Sequence, residues 1–200
     1  MVQALADEAR GPHTHRLRVV AAEWTQFVGW LAAEARHDAD ADRVLTEAVR
    51  QADAVNDGVL AAQAENFRGY LERQRGNARG IIRHFMTAYH TPGANLLQRI
   101  GDVAQAGHGH ALLGDRHTAT QLLGQASDLT ETADHITPPA VAYWLSPTFV
   151  RMNIGLVHLA LDNHGEAEQN LRVGLDGLPA DQQDAEWAQE YRDALTSIVQ

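Results

Sequence analysis

The densest group of residues that could do chemistry lies between Gly107 and His117, where three glycines and three histidines fall within eleven positions. Glycine-rich loops bind phosphate, and closely spaced histidines bind metal ions. A dinucleotide-binding fingerprint needs a preceding strand and a third glycine three residues after the second, whereas the next glycine here is Gly114. On a helix, His108 and His110 would point about 200° apart. We therefore predict neither a phosphate loop nor a metal site.

Residues for nucleophilic or acid–base catalysis are also sparse. The chain has no P-loop or zinc-protease motif, and its serines do not lie in a nucleophile elbow. The carboxylates occur in runs such as DADADR, which are typical of solvated helix faces. We predict no enzymatic activity, no catalytic residue and no cofactor.

Charge and composition exclude several classes of partner. A formal net charge of −10 opposes binding of this chain to nucleic acid. The absence of cysteine excludes disulfides and thiolate zinc sites. No apolar run approaches the roughly 20 residues of a membrane span, and the N-terminal residues lack the pattern of a signal peptide. We expect a cytoplasmic protein that contacts no membrane.

Apolar residues recur at spacings of three and four along almost the whole chain, which predicts amphipathic helices. Short polar breaks separate them, and only residues 135–148, which include three prolines, are long enough to form a real loop. The predicted helices cover residues 16–36, 40–54, 59–75, 77–89, 96–113, 117–133, 148–162, 165–177 and 181–198.

A repeated spacing starts at each of four glycines, Gly29, Gly69, Gly107 and Gly155. Corresponding residues follow at offsets 3, 7, 12, 16 and 19. The residues at offset 7 are Arg36, Gly76, Gly114 and Asp162. The residues at offset 16 are Leu45, Phe85, Leu123 and Leu171. Small residues let two helices approach closely, and a large apolar residue fills the space between neighbouring pairs, so the spacing predicts stacked helix pairs.

This pattern resembles the tetratricopeptide repeat, although the glycines are 40, 38 and 48 residues apart, against a family period of about 34. Ile81 also occupies a position where the family has alanine. The resemblance implies an all-α, tetratricopeptide-like right-handed superhelix of antiparallel helical hairpins. Residues 1–15 would form an N-terminal extension. Residues 16–200 would form the repeat domain, with about four hairpins and a C-terminal capping helix.

Three further stretches, AAEWTQFVGWLA, GHALLGD and PPAVAYWLSP, carry a second resemblance. They are similar to the C-terminal helical-repeat region of actinobacterial transcriptional regulators of the XRE type. In that family an N-terminal helix-turn-helix domain binds DNA, and the repeat region is thought to sense a ligand or mediate contacts. Residues 1–15 are too few for a helix-turn-helix. The resemblance therefore implies either the sensory part of a regulator or a stand-alone protein on the same scaffold.

In a tetratricopeptide stack the first helix of each pair lines a concave groove. The positions one after and three before each glycine of the spacing would face that groove, as would Arg73, one turn beyond Tyr70. The predicted ligand-binding residues are Gln26, Trp30, Asn66, Tyr70, Arg73, His108, Met152 and Leu156. Trp30 and Tyr70 could instead pack against neighbouring helices, and Tyr143 with Trp144 could cover the groove or fill a gap beside it.

Two classes of function remain open from the sequence. The first is a regulatory or interaction module that binds a peptide, a partner protein or a small molecule in the groove. The alternative is an enzyme or biosynthetic accessory protein that uses groove histidines and carboxylates. The sequence gives no prediction of the oligomeric state.

Overall fold

Alanine-rich amphipathic stretches favour helix, and helix is what they form. The structure is a computed structural model that describes residues 8, 10–131 and 144–199, and no strand is present among them. The prediction of an all-α chain is therefore confirmed. The helices are α1 Thr14–Glu34, α2 Asp38–Ala54, α3 Gly58–Gln74, α4 Ala78–His90, α5 Leu96–Leu112, α6 Arg116–Glu131, α7 Pro147–Ala160, α8 His164–Asp176 and α9 Gln189–Val199, with a 3₁₀ helix at Glu186–Ala188.

The short polar breaks predicted between helices contain their N-caps. The Asp57 carboxylate accepts hydrogen bonds from the backbone N–H groups of Val59 and Leu60 at the start of α3. Asn77 and Ser146 serve α4 and α7 in the same way. These side chains satisfy amides that have no partner within the helix.

The turns inside the four helix pairs share one backbone conformation. The residue seven positions after each glycine of the spacing is left-handed, and this conformation ends the first helix. The φ angles are 57° at Arg36, 68° at Gly76, 78° at Gly114 and 60° at Asp162. Glycine adopts this conformation without strain, whereas a residue with a Cβ pays about 1–2 kcal/mol. The repeated spacing in the sequence thus corresponds to a repeated turn in the structure.

The glycines of the spacing bring paired helices close together in three of the four pairs. A Cβ added at Gly29 would lie 2.6 Å from Leu45, and one at Gly155 would lie 2.7 Å from Leu171. At Gly69 the added Cβ would lie 2.8 Å from the Phe85 ring. Gly107 differs, since an added Cβ there would come no closer than 3.5 Å to Ala119 and Leu122. The close contact on α5 is at Gly109, against Ile82 of α4.

Each helix from α1 to α6 packs against the next one along the chain, and α7 packs against α8. The first helices of the pairs also meet one another, because α1 contacts α3, α3 contacts α5, and α5 contacts α7. These four helices therefore form a row, and side chains on its open side are brought together from distant parts of the sequence. α9 returns to pack against α8 and α7.

Two clusters supply much of the buried apolar surface. One joins α4, α5 and α6 around Ile81, Phe85 and Val103. The other joins α7, α8 and α9 around residues that include Met152, Leu156 and Tyr191. No helix in the described ranges is long and apolar enough to span a lipid bilayer.

The last predicted helix begins later than expected. Residues 181–184 form turns, and the 3₁₀ helix at Glu186–Ala188 precedes α9. Arg192 donates hydrogen bonds back to the carbonyl oxygens of Gln183 and Ala185, which holds this segment in a turn instead of a helix. Of the predicted loop 135–148, residues 135–143 lie outside the described residues.

Candidate functional site

A cavity of about 320 Å³ lies between the row of first helices and the C-terminal segment. The spacing of three and four residues places several side chains of α1 on one face, and does the same on α3. Side chains of α5, of α7 and of the segment around α9 complete the cavity. The lining residues are Glu23, Gln26, Phe27, Trp30, Gln63, Asn66, Phe67, Tyr70, Arg73, Gln105, Trp144, Phe149, Gln182, Trp187 and Tyr191.

Aromatic rings form one side of this cavity, which we call the aromatic wall: Phe27, Trp30, Phe67 and Trp144. Consecutive ring centroids lie 5.7, 6.3 and 5.5 Å apart, with planes inclined by 31°, 33° and 32°. These separations are those of favourable aromatic contacts. Phe27 remains 45% exposed, so the wall continues to the protein surface. It offers ring faces on which a flat or apolar group can stack.

Side-chain amides and one guanidinium also line the cavity, and we call this set the polar wall: Gln26, Gln63, Asn66, Arg73 and Gln105. Gln26 donates a hydrogen bond to the Gln63 side-chain oxygen at 2.9 Å, and both residues are buried. Asn66 donates to Asp102 Oδ1 at 2.7 Å. Each amide of the polar wall therefore has a hydrogen-bond partner within the protein.

Arg73 is the centre of the polar wall. Its Nη1 donates to the side-chain oxygens of Gln105 at 2.7 Å and Asn153 at 3.0 Å. Its Nη2 donates to the Tyr191 hydroxyl at 3.1 Å, and Nε lies 3.1 Å from Glu190 Oε2. Since these partners belong to α5, α7 and α9, the Arg73 side chain ties α3 to three other helices.

Two tyrosine rings contact the same guanidinium. The Arg73 Cζ atom lies 5.4 Å from the Tyr70 ring centroid and 5.5 Å from that of Tyr191. The Tyr70 hydroxyl donates to Glu34 Oε1 at 2.6 Å and accepts from Gln74 Nε2 at 2.8 Å. Burial and the Glu34 carboxylate raise the pKa of Tyr70 above its ordinary value. Tyr70 therefore presents a ring to the cavity while its hydroxyl is already bonded.

A fully buried carboxyl lies behind the polar wall. Asp102 Oδ1 accepts hydrogen bonds from Asn66 and from Gln98, whereas Oδ2 has no partner among the described residues. Burial raises the pKa of Asp102 to about 8, although the two amides act in the opposite direction. Asp102 is thus predominantly protonated at neutral pH, which removes the cost of burying an unpaired charge.

Five of the eight predicted groove residues line the cavity: Gln26, Trp30, Asn66, Tyr70 and Arg73. The other three have different positions. Met152 and Leu156 lie in the buried cluster of α7, α8 and α9. His108 is 9% exposed and its Nδ1 has no partner among the described residues. Burial and the Arg73 charge lower the pKa of His108 to about 3, so its ring is neutral.

Several lining residues were not predicted from the sequence. Gln63 and Phe67 share the α3 face of Asn66 and Tyr70, so the spacing could have identified them. Gln105 lies three residues before His108 on α5, so the same spacing could have identified it. Tyr191 and the other contributions from the C-terminal segment have no such signal, because they reach the cavity only through tertiary packing.

The histidines of the described residues do not form a metal site. No group of three or more His, Asp and Glu side chains within these ranges could hold a metal ion. The buried His84 Nδ1 lies 2.7 Å from Glu65 Oε2, and neither residue lines the cavity. His110 Nδ1 lies 3.1 Å from Asp115 Oδ2 at the α5–α6 turn. These pairs link neighbouring elements, and no histidine within the described ranges lines the cavity.

Comparisons of the chain with protein-family models, with curated proteins and with solved structures find no match. The chemistry of the cavity is therefore the basis on which a function can be argued. One wall provides ring faces and the other provides fixed amides, in a volume suited to a small organic molecule.

Proposed function

We propose that the chain is a binding module that takes a small organic molecule with a flat or apolar body into the cavity. The observation that carries the proposal is the pairing of the aromatic wall with a preformed polar wall around about 320 Å³. Small-molecule sites are typically concave, mostly apolar and equipped with a few well-placed polar groups. A small molecule is favoured over a peptide because the cavity is bounded by the C-terminal segment as well as by the row of helices.

The scaffold in this proposal is a tetratricopeptide-like right-handed superhelix of antiparallel hairpins. The shared left-handed turn seven residues after each glycine of the spacing supports it. The glycine contacts at offset 16 support it in three of the four pairs. In such an array the first helices line a common face, which is where the cavity lies.

The wider role that we propose is regulatory: a cytoplasmic ligand sensor belonging to a transcriptional regulator. The sequence resemblance to the repeat region of XRE-type regulators supports this role. Because the formal net charge of −10 opposes binding of this chain to nucleic acid, another part of such a regulator would contact DNA.

Fluorescence titration with N-phenyl-1-naphthylamine tests the proposed function. This uncharged dye brightens in apolar sites, and we expect saturable binding at one site per chain. Trp144→Ala should weaken binding at least fivefold, because its ring forms the end of the aromatic wall. Leu113→Ala is the matched control, since Leu113 is 50% exposed and lies outside the cavity.

Native mass spectrometry of the purified protein gives an independent readout, because a retained small molecule would appear as a fixed mass increment. The absence of saturable dye binding by the parent protein would refute the proposal. Equal loss of binding in Trp144→Ala and Leu113→Ala would also refute it, because the dye would then report general surface changes.

A further inference from the structure

The electrostatics of the cavity restrict the charge of its ligand. In the part of the chain that the structure describes, Glu23 and Arg73 are the charged residues of the lining. They lie on different helices, α1 and α3, and their environments differ. Whether the cavity favours an anion or a cation therefore depends on which of the two charges is already compensated.

Arg73 is compensated within the protein. Its Nε faces the Glu190 carboxylate at 3.1 Å, and three neutral oxygens, of Gln105, Asn153 and Tyr191, accept from its Nη atoms. An anionic ligand would have to displace one of these partners or tolerate the nearby Glu190 charge. Because the guanidinium is buried, donates three hydrogen bonds and lies beside the Glu190 carboxylate, exchange of partners is costly. Arg73 therefore has a structural role, and its charge is not available to bind an anionic ligand.

Glu23 has the opposite environment. It forms no ion pair with any residue in the described ranges, although it lines the cavity. Partial burial raises the pKa of Glu23, and the like charge of Asp57 raises it further. The N-terminus of α3 partly compensates the charge of Asp57, whereas Glu23 has no counterion among the described residues and therefore gives this part of the cavity a negative potential. A positive group on the ligand would relieve that potential.

The aromatic wall begins on the same helix face as Glu23. Phe27 and Trp30 lie four and seven residues after it, which places them one and two turns further along α1. Phe67 and Trp144 extend the row of rings. Aromatic faces attract cations, and the attraction strengthens where water is excluded. A carboxylate next to several ring faces is the arrangement that recognises an ammonium group.

We propose that the cavity selects an organic cation, with an ammonium or guanidinium group on an apolar body, whose charge lies between Glu23 and the aromatic wall. This inference rests on the proposed small-molecule function and specifies the ligand class for the same site. Neither binding nor selectivity requires a metal or a covalent step.

Displacement of N-phenyl-1-naphthylamine by three probes of matched shape tests the inference. The probes are benzyltrimethylammonium, its neutral carbon isostere neopentylbenzene, and the anion phenylacetate. We expect the cation to displace the dye at a concentration at least tenfold below that of the neutral probe, and phenylacetate to be weakest. If the neutral probe or the anion equals the cation, or if the dye binds and the cation fails to displace it, the inference is overturned while the proposed function stands.

Two variants separate the carboxylate from the rings. Glu23→Gln should reduce the preference for the cation over the neutral probe to under threefold and leave affinity for the neutral probe unchanged. Trp30→Leu keeps apolar bulk but removes one ring face, so it should weaken cation binding more than neutral binding. Asp128→Asn is the control for loss of one negative charge, since Asp128 is exposed and outside the cavity.

Circular dichroism at 222 nm identifies any variant that fails to fold. A titration with sodium chloride provides a further test that uses the parent protein alone. Salt should weaken displacement by the cation and leave displacement by the neutral probe unchanged. Retention of the full cation preference in Glu23→Gln, or an equal loss in Asp128→Asn, would overturn the inference.

Discussion

The two walls of the cavity share helices α1 and α3 but are held in different ways. The polar wall is tied into buried hydrogen bonds that reach α5, α7 and α9 through Arg73. The rings of the aromatic wall contact one another in a row, and Phe27 is nearly half exposed. Changes in the polar wall should therefore alter the stability of the fold, whereas changes in the aromatic wall should mainly alter ligand binding.

The largest effect on stability is expected from Arg73→Ala. Removal of the guanidinium leaves the side-chain oxygens of Gln105 and Asn153 without their donor, and leaves Glu190 without its counterion. The free energy of unfolding should fall by about 3–5 kcal/mol in urea titrations. Arg172→Ala removes an exposed arginine and should change it by less than about 0.5 kcal/mol. Similar values for the two variants would contradict the distinction between the walls.

The next effect concerns Asp102, which lies behind the polar wall. The pKa of its carboxyl is about 8 in the folded state, whereas the ordinary value, which applies to the unfolded chain, is 3.8. The folded state therefore binds more protons between about pH 4 and pH 8, and the free energy of unfolding should fall as the pH rises through that range.

Asp102→Asn should remove this component of the pH dependence. The measurement is urea denaturation at several pH values between 4 and 8, on the parent protein and the variant. Asp128→Asn, at an exposed site, should retain the parental slope. A parental slope in Asp102→Asn would show that the buried carboxyl titrates in its ordinary range.

Both walls depend on how closely α3 and α5 pack against their partner helices. Substitutions at Gly69 on α3 and at Gly107 on α5 test the two packing contacts separately. Gly69→Ala places a Cβ 2.8 Å from the Phe85 ring and should destabilise the protein by about 1–3 kcal/mol. Gly107→Ala meets only ordinary contacts and should be neutral or stabilising by up to about 1 kcal/mol, because alanine favours helix. Equal midpoints in thermal melts of the two variants would contradict the difference in packing.

The smallest change in stability is expected on the aromatic wall. Trp30→Ala should lower the free energy of unfolding by less than about 1 kcal/mol, since the Trp30 ring is only partly buried. The same substitution should weaken binding of N-phenyl-1-naphthylamine by about tenfold, because an anchoring ring contributes more than about 1 kcal/mol. Unfolding of Trp30→Ala would instead assign the ring to the core and remove the contrast between the walls.

Much of the fold was predictable because helix formation and close packing follow local rules. The first helices were predicted to end at residues 36, 75, 113 and 162, at or next to the residues seven positions after each glycine, and all four of the latter are left-handed in the structure. The same spacing treated Gly69 and Gly107 as equivalent, yet only Gly69 has a large side chain pressed against it. On α5 that role passes to Gly109, which faces α4 instead of α6. A spacing along the chain cannot show which neighbouring helix a glycine faces.

The candidate site was predicted less completely than the fold. On α1 and α3 the predicted positions Gln26, Trp30, Asn66 and Tyr70 line the cavity together with Arg73. On α5 and α7 the same rule selected His108, Met152 and Leu156, none of which lines it. Met152 and Leu156 instead pack with Tyr191 of the C-terminal segment in a buried cluster, and Tyr191 itself lines the cavity. Nothing in the local spacing indicates this packing.

The sequence by itself determined the helices, their turns and the cavity-facing side of α1 and α3, because these depend on residues within a few positions of one another. Only the tertiary structure decided the roles of the charged groups. Arg73 could be a ligand-binding cation on sequence grounds, but Asn153 and Glu190, more than 75 residues away, hold it as a structural one. The burial that sets the pKa of Asp102 also comes from other helices. Electrostatic roles depend on the surrounding dielectric and on nearby partners, and these exist only once distant segments have packed.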